Sequence, residues 1–225
     1  VVKANNSEIL LRIDTTQFPY KVQDNGIQFQ GVNWQANWSV SGGSWLIEYN
    51  EKHIIPPQTG DLGCINGDLK NVEYKNIKPG LLQLKGNFSK IPAVGNHLIM
   101  RHSTRDHAGM FIFHSKNIKL DNINVYHTSG LGILSQYSEN IAMNRVNMIP
   151  NPDKDRYLSG HDDGFHFMGC KGQINIDSCR FEGLMDDPIN IHGTYAPVIA
   201  RIDDKTLKCK FEHGMSSGLI WGQPD

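Results

Sequence analysis

Asn117-Ile118-Lys119-Leu120-Asp121-Asn122-Ile123-Asn124-Val125 recurs without a gap as Asn140-Ile141-Ala142-Met143-Asn144-Arg145-Val146-Asn147-Met148. It recurs again as Gln173-Ile174-Asn175-Ile176-Asp177-Ser178-Cys179-Arg180-Phe181. The four aligned columns Ile118/Ile141/Ile174, Leu120/Met143/Ile176, Ile123/Val146/Cys179 and Val125/Met148/Phe181 are apolar throughout. Apolar and polar residues alternate within each copy, break phase at Asp121-Asn122, Asn144-Arg145 or Asp177-Ser178, and alternate again. Such a pattern predicts two strands meeting at a corner. A strand has a period of two and buries one face, so each copy hides its apolar side only by stacking on the next. The fold class expected is all-β: a right-handed single-stranded parallel β-helix.

The third copy stands further from the second than the second does from the first. The surplus falls around Pro150-Asn151-Pro152-Asp153-Lys154-Asp155-Arg156, a polar, proline-bearing stretch that cannot continue a central strand and should project as a loop. His161-Asp162-Asp163-Gly164-Phe165-His166-Phe167 follows it, and superimposes on Met185-Asp186-Asp187-Pro188-Ile189-Asn190-Ile191. Residues 1–67 show no such register and are expected to hold early coils, a cap or an inserted β subdomain. Residues 68–196 would be the parallel β-helix. Val198 to Phe211 reads as a hairpin turning at Asp203-Asp204-Lys205, the start at 197–225 of a truncated antiparallel, barrel-like subdomain.

Composition narrows the partners. Lysine and arginine number 22 against 23 aspartates and glutamates, so there is no net field to recruit nucleic acid or an anionic membrane. The longest apolar runs, such as Met110-Phe111-Ile112-Phe113, are far short of the roughly 20 residues a membrane-spanning helix needs. Cys64, Cys170, Cys179 and Cys209 lack C-x-x-C spacing, which argues against zinc and leaves a disulfide open, with mostly buried free thiols the expectation. Val1 opens the sequence without the basic-then-apolar order of a secretory signal, so localisation is not read from this end.

The two Asp pairs carry the chemistry. In register, Asp162 stacks on Asp186 and Asp163 on Asp187, and neighbouring strands lie about 4.8 Å apart, so four carboxylates should converge on one line. Like charges at that distance raise one or more carboxyl pKa values. Glycosidic cleavage needs one protonated carboxyl for the leaving oxygen and one ionised carboxylate for water or carbon, and such a cluster supplies both states. Arg105-Asp106-His107 and Ser129-Gly130 precede strands one and two coils earlier and should fall near the same ridge. His161, His166 and His192 flank the Asp pairs and are candidates to hold sugar, together with Asp162 and Asn190. No Ser or Cys triad and no glycine-rich phosphate loop is present.

The runs Arg101 to Gly109, His161 to Phe167 and Met185-Asp186-Asp187-Pro188-Ile189-Asn190-Ile191-His192-Gly193-Thr194 resemble glycoside hydrolase family 110, the α-1,3-galactosidases. The resemblance covers roughly residues 30–225, and the second Asp pair with its following His-Gly is its most specific part. It implies an inverting exo-enzyme that removes terminal α-1,3-linked galactose, from blood group B structures among others, on a β-helix with added β-barrel domains. It also implies a secreted or periplasmic bacterial protein without metal or cofactor. Carried over by motif, Asp163 is the general acid, and Asp186 and Asp187 position and deprotonate water. Arg105, Asp106, His107, His161, Asp162, His166, Asn190 and His192 would hold a terminal α-galactosyl oligosaccharide. The rivals are a polygalacturonase-like β-helix hydrolase, which generally carries basic residues for an acidic polymer, and a non-catalytic carbohydrate-binding β-helix.

Overall fold

A computed structural model describes residues 1–39, 46–59, 71–102, 107–212 and 220. The described chain is all-β, with no α-helix among the described residues. It divides into two compact units, residues 1–104 and 105–225.

The first unit is antiparallel. Strands β1 (Lys3–Ala4), β2 (Glu8–Arg12), β7 (Glu73–Lys78) and β8 (Leu81–Lys85) form one sheet in the order β1-β2-β8-β7. Strands β3 (Tyr20–Gln23), β4 (Gly26–Gln30) and β5 (Gln35–Trp38) form a second, and β6 (Leu46–Tyr49) pairs with β9 (His97–Met100). Alternation explains the core: in β2 and β8 every second residue, Ile9, Leu11, Leu82 and Leu84, is buried, and these pack with Ile27, Trp38 and Phe88. The expectation that the parallel stack begins at residue 68 is corrected here. Residues 73–85 form an antiparallel pair whose second strand also bonds β2, so their apolar parity serves the first unit's core.

The second unit holds the repeat. Strands β10 (Met110–Phe113), β12 (Ile133–Gln136), β14 (Phe165–Met168) and β16 (Ile189–His192) form one wholly parallel sheet. Strands β11 (Lys116–Val125), β13 (Glu139–Met148) and β15 (Lys171–Asp177) form another. Pairing runs Ile118 to Ile141 to Ile174 and Leu120 to Met143 to Ile176, with Ile123 on Val146 and a parallel bridge from Met148 to Phe181. All members of the four apolar columns lie in or against one core. The middle copy is sandwiched, so Ile141, Met143, Val146 and Met148 are at most 1% exposed. The same columns in β11 and β15 are only half-buried.

The phase break has a backbone cause. Asn122, Arg145 and Ser178 adopt left-handed φ values of 56°, 52° and 52°, which turns the chain without ending its pairing, so each of the first two copies is one long bent strand. A second left-handed column, His114, Tyr137 and Gly169, marks the turn from one parallel sheet into the other. Outside the bends, Asn140 donates to Asn117, Asn144 to Asp121 and Asn147 to Asn124 at 2.9–3.2 Å, a polar ladder on the solvent side. Strands β17 (Val198–Arg201) and β18 (Leu207–Cys209) form the antiparallel hairpin expected around Asp203, whose carboxylate caps the turn at the Lys205 amide.

Candidate active site

Glycine builds the entrance to the first parallel sheet. Gly109, Gly132 and Gly164 each sit one residue before a strand, in line with Pro188 before β16. A Cβ on Gly164 would lie 2.6 Å from the Pro188 carbonyl oxygen, and one on Gly132 would collide with the Gly164 carbonyl. Side chains are therefore excluded along this line, and the backbones close up: Gly132 N–H donates to the Asp163 carbonyl and Gly164 N–H to the Asp187 carbonyl, at 2.8 and 2.9 Å. Asp163 is thereby placed over Asp187. The shared offset of these glycines to their strands is a signal present in the sequence, but apolar alternation alone does not pick it out as a column.

Asp163, Asp186 and Asp187 each offer a carboxylate oxygen, all within 4.8 Å of one another. Burial grades across them: Asp163 is buried, Asp186 half-buried and Asp187 exposed. Asp186 accepts from the Asp187 amide at 3.1 Å, and Asp187 accepts from the Asn190 side-chain amide at 3.3 Å. Three carboxylates this close repel unless a proton or a counter-charge sits among them. The proton has a route: Asp163 Oδ2 lies 2.6 Å from His166 Nδ1, and His166 Nε2 lies 2.8 Å from His192 Nε2. The rings of His166 and His192 meet edge to face at 4.8 Å, and His192 Nδ1 lies 2.9 Å from the Gly193 carbonyl. Strand parity brings this about, because alternation buries Phe165 and Phe167 and turns His166 to the same outer face as its partner Asn190.

Asp162 departs from expectation. It is 1% exposed and faces His161, whose Nδ1 lies 3.2 Å from its Oδ2. Three carboxylates gather, then, where four were expected. Asp162 is buried beside His161 instead of lying on an open face as expected of a group that holds sugar. His107 is exposed, its carbonyl packed under Gly130, on the backbone line that leads to Asp162 and Asp186. Arg105 and Asp106 lie outside the described residues. The loop that carries the surplus between the repeats returns to this ridge: Ser159 N–H donates to the Gly183 carbonyl at 2.8 Å, and Gly160 bridges to Leu184. His127, which sequence reasoning passes over, lies beside it with its surface still open to solvent, and partial desolvation of the ring, with Arg156 and His161 adding positive charge, holds its imidazole below the ordinary value of 6.5. Of the cysteines, Cys170, Cys179 and Cys209 are free thiols, while Cys64 lies outside the described residues.

An all-β chain that gathers three carboxylates beside a hydrogen-bonded histidine pair holds the groups that general acid–base chemistry uses. Residues 1–98 match the family model described as GLAA-B beta-barrel domain I. The whole chain is 45% identical over 232 residues to alpha-1,3-galactosidase B of Bacteroides thetaiotaomicron, 36% of whose length it covers. It is 38% identical over 220 residues to alpha-1,3-galactosidase A of Bacteroides fragilis, with 97% of this chain and 34% of that one aligned. Alpha-1,3-galactosidase B of Phocaeicola vulgatus is 36% identical over 185 residues, 80% of this chain and 30% of its own. The chain is thus homologous to curated α-1,3-galactosidases, in agreement with the resemblance to glycoside hydrolase family 110, and spans about a third of the length of these relatives.

Proposed function

We propose that this chain carries the catalytic centre of an exo-acting glycoside hydrolase that removes terminal α-1,3-linked galactose, from blood group B-type or linear glycans. The observation that carries the reading is the convergence of Asp163, Asp186 and Asp187 within 4.8 Å, in a chain homologous over its whole length to alpha-1,3-galactosidases. Asp163, the most buried and in contact with His166, is the general acid; Asp186 and Asp187 hold and deprotonate water. Asn190 on the outer face, His107 and Arg105-Asp106 before it, and His161 at its edge would hold sugar hydroxyls, while the ring nitrogens of His166 and His192 are taken up by Asp163, by each other and by the Gly193 carbonyl. A net charge of −1 suits a neutral sugar better than the acidic polymer of a polygalacturonase. The two parallel sheets are best read as successive coils of a right-handed parallel β-helix, since consecutive strands such as β10 and β11 alternate between them with short turns. The hairpin of β17 and β18 would then belong to a further barrel-like subdomain. Secretion or a periplasmic location fits a glycan substrate outside the cell.

Family resemblance favours inversion, and one observation favours retention. Inverting enzymes hold their carboxyls about 6.5–9.5 Å apart to admit water, retaining ones about 5–5.5 Å apart. The nearest oxygens here fall within 4.8 Å. Incubating the intact protein with a terminal α-1,3-galactosyl disaccharide and following the products by proton NMR tests both points. Release of β-galactose first is the expected result; α-galactose first would replace inversion by retention, and no galactose at all would leave a binding module.

A further inference from the structure

We infer that His166 and His192 form a proton chain that keeps Asp163 charged with one transferable proton and refills it from solvent. The inference rests on the proposed role of Asp163 as acid and adds where its proton comes from.

Three contacts compete for the hydrogens of two rings. A backbone carbonyl only accepts, so the 2.9 Å contact to the Gly193 oxygen requires hydrogen on His192 Nδ1. The 2.8 Å contact between the two Nε2 atoms needs one hydrogen, and the 2.6 Å contact between His166 Nδ1 and Asp163 Oδ2 needs another. Two neutral imidazoles bring one hydrogen each. With the first committed to Gly193, the second can serve only one of the remaining contacts, and the other would set two lone pairs face to face. Satisfying all three contacts takes one further proton. That proton resides on Asp163 as a carboxylic acid, on His166 as imidazolium beside a carboxylate, or on His192 as imidazolium. In every arrangement the trio is neutral in sum and holds one proton to spare.

Position gives the chain a direction. The Asp163 side chain is 8% exposed, that of His166 17%, and His192 is exposed. When Asp163 gives its proton to the leaving oxygen, it becomes a carboxylate facing the bare His166 Nδ1; exchange with water then breaks the His166 Nε2–H bond and forms an Nδ1–H bond that the carboxylate accepts, and the facing Nε2 atoms are left without a hydrogen. A proton from water or a buffer acid then bonds to His192 Nε2. It passes to His166 Nε2 as the His166 Nδ1–H bond breaks and an Asp163 Oδ2–H bond forms, which restores the starting state. The Gly193 carbonyl keeps His192 Nε2 turned inward. Both histidines thus act through Asp163.

His192→Phe keeps a ring at an exposed position and removes the outer nitrogen. In the intact protein its kcat on an α-1,3-galactosyl disaccharide should fall on the order of tenfold or more. Its rate on a dinitrophenyl α-galactoside, whose leaving group needs no proton, should fall far less, and free imidazole in the buffer should restore the disaccharide rate. Equal losses on both substrates with no response to imidazole would overturn the inference. A second readout needs no substrate. In ¹⁵N-histidine-labelled, unliganded protein, a through-hydrogen-bond nitrogen–nitrogen coupling should join His166 Nε2 and His192 Nε2, and its absence would overturn the chain even in an active enzyme. Wild-type protein that shows the coupling yet cleaves neither galactoside would sink the galactosidase reading instead.

Discussion

Gly164 stands between Asp163 and the strand that carries His166, and nothing larger fits there. Adding one methyl would press on the Pro188 carbonyl at 2.6 Å and on Phe181 and Leu184 at 2.9 and 3.0 Å. Gly164→Ala should therefore cost about 1–3 kcal/mol, read as a lower denaturation midpoint, and should spread the Asp163–Asp187 pair enough to depress activity in whatever folds. Charge roles separate by leaving group. Asp163→Asn should lose on the order of 10²–10⁴-fold on a natural galactoside, yet retain much more on a dinitrophenyl galactoside. Asp186→Asn or Asp187→Asn should be impaired on both, since water must still be activated; the opposite pattern would exchange the roles. The trio itself was legible because the two Asp pairs, at 162–163 and 186–187, share the same offset to the strands that follow them. The burial of Asp162 was not, since alternation does not extend through a turn. Nor was the bond between His166 and His192, which depends on two side-chain torsions as well as on register.

Strands β11 and β13 share more of their pairing than any other two in the second unit, aligned from Lys116 on Glu139 to Val125 on Met148. Their inward residues differ in one respect: those of β13 are covered on both sides. Ile141→Ala should thus cost about 2–5 kcal/mol, while Ile118→Ala, at a half-buried end of the same column, should cost clearly less. Equal losses in chemical denaturation would mean that the column does not pack as described. Ile141→Asp, which buries a charge with no partner, should prevent folding. These strands could be found from sequence because a repeat supplies both register and parity at once. The first unit offered no such help. There β2 pairs with β8 across all the strands from β3 to β7, and antiparallel partners so distant leave no period to detect.

For the whole chain, acidity is a test of burial. The His127 imidazole binds its proton less readily in the folded than in the unfolded chain. Below its ordinary value of 6.5 the unfolded chain therefore takes up the proton first, and stability should fall as the pH drops through that value towards the lowered folded one. Above it the contribution is constant. Midpoints measured on either side of that ordinary value, about one pH unit below and one above, should differ less in His127→Gln than in the native protein. If that variant shows the same slope, other groups set the acid limit.

The loop at 150–160 lengthens the connection between two copies of the repeat, and the next copy still falls into line, Ile174 on Ile141 and Phe181 on Met148. Each copy resets its own alignment at its left-handed corner, so a change of length in one connection is not passed to the next. A protein made this way can be edited like text with fixed line breaks. The connection that rejoins the ridge at Ser159, just before His161, is a place where natural variation or a designer could lengthen, shorten or recolour the wall beside the aspartates while every carboxylate stays at its post.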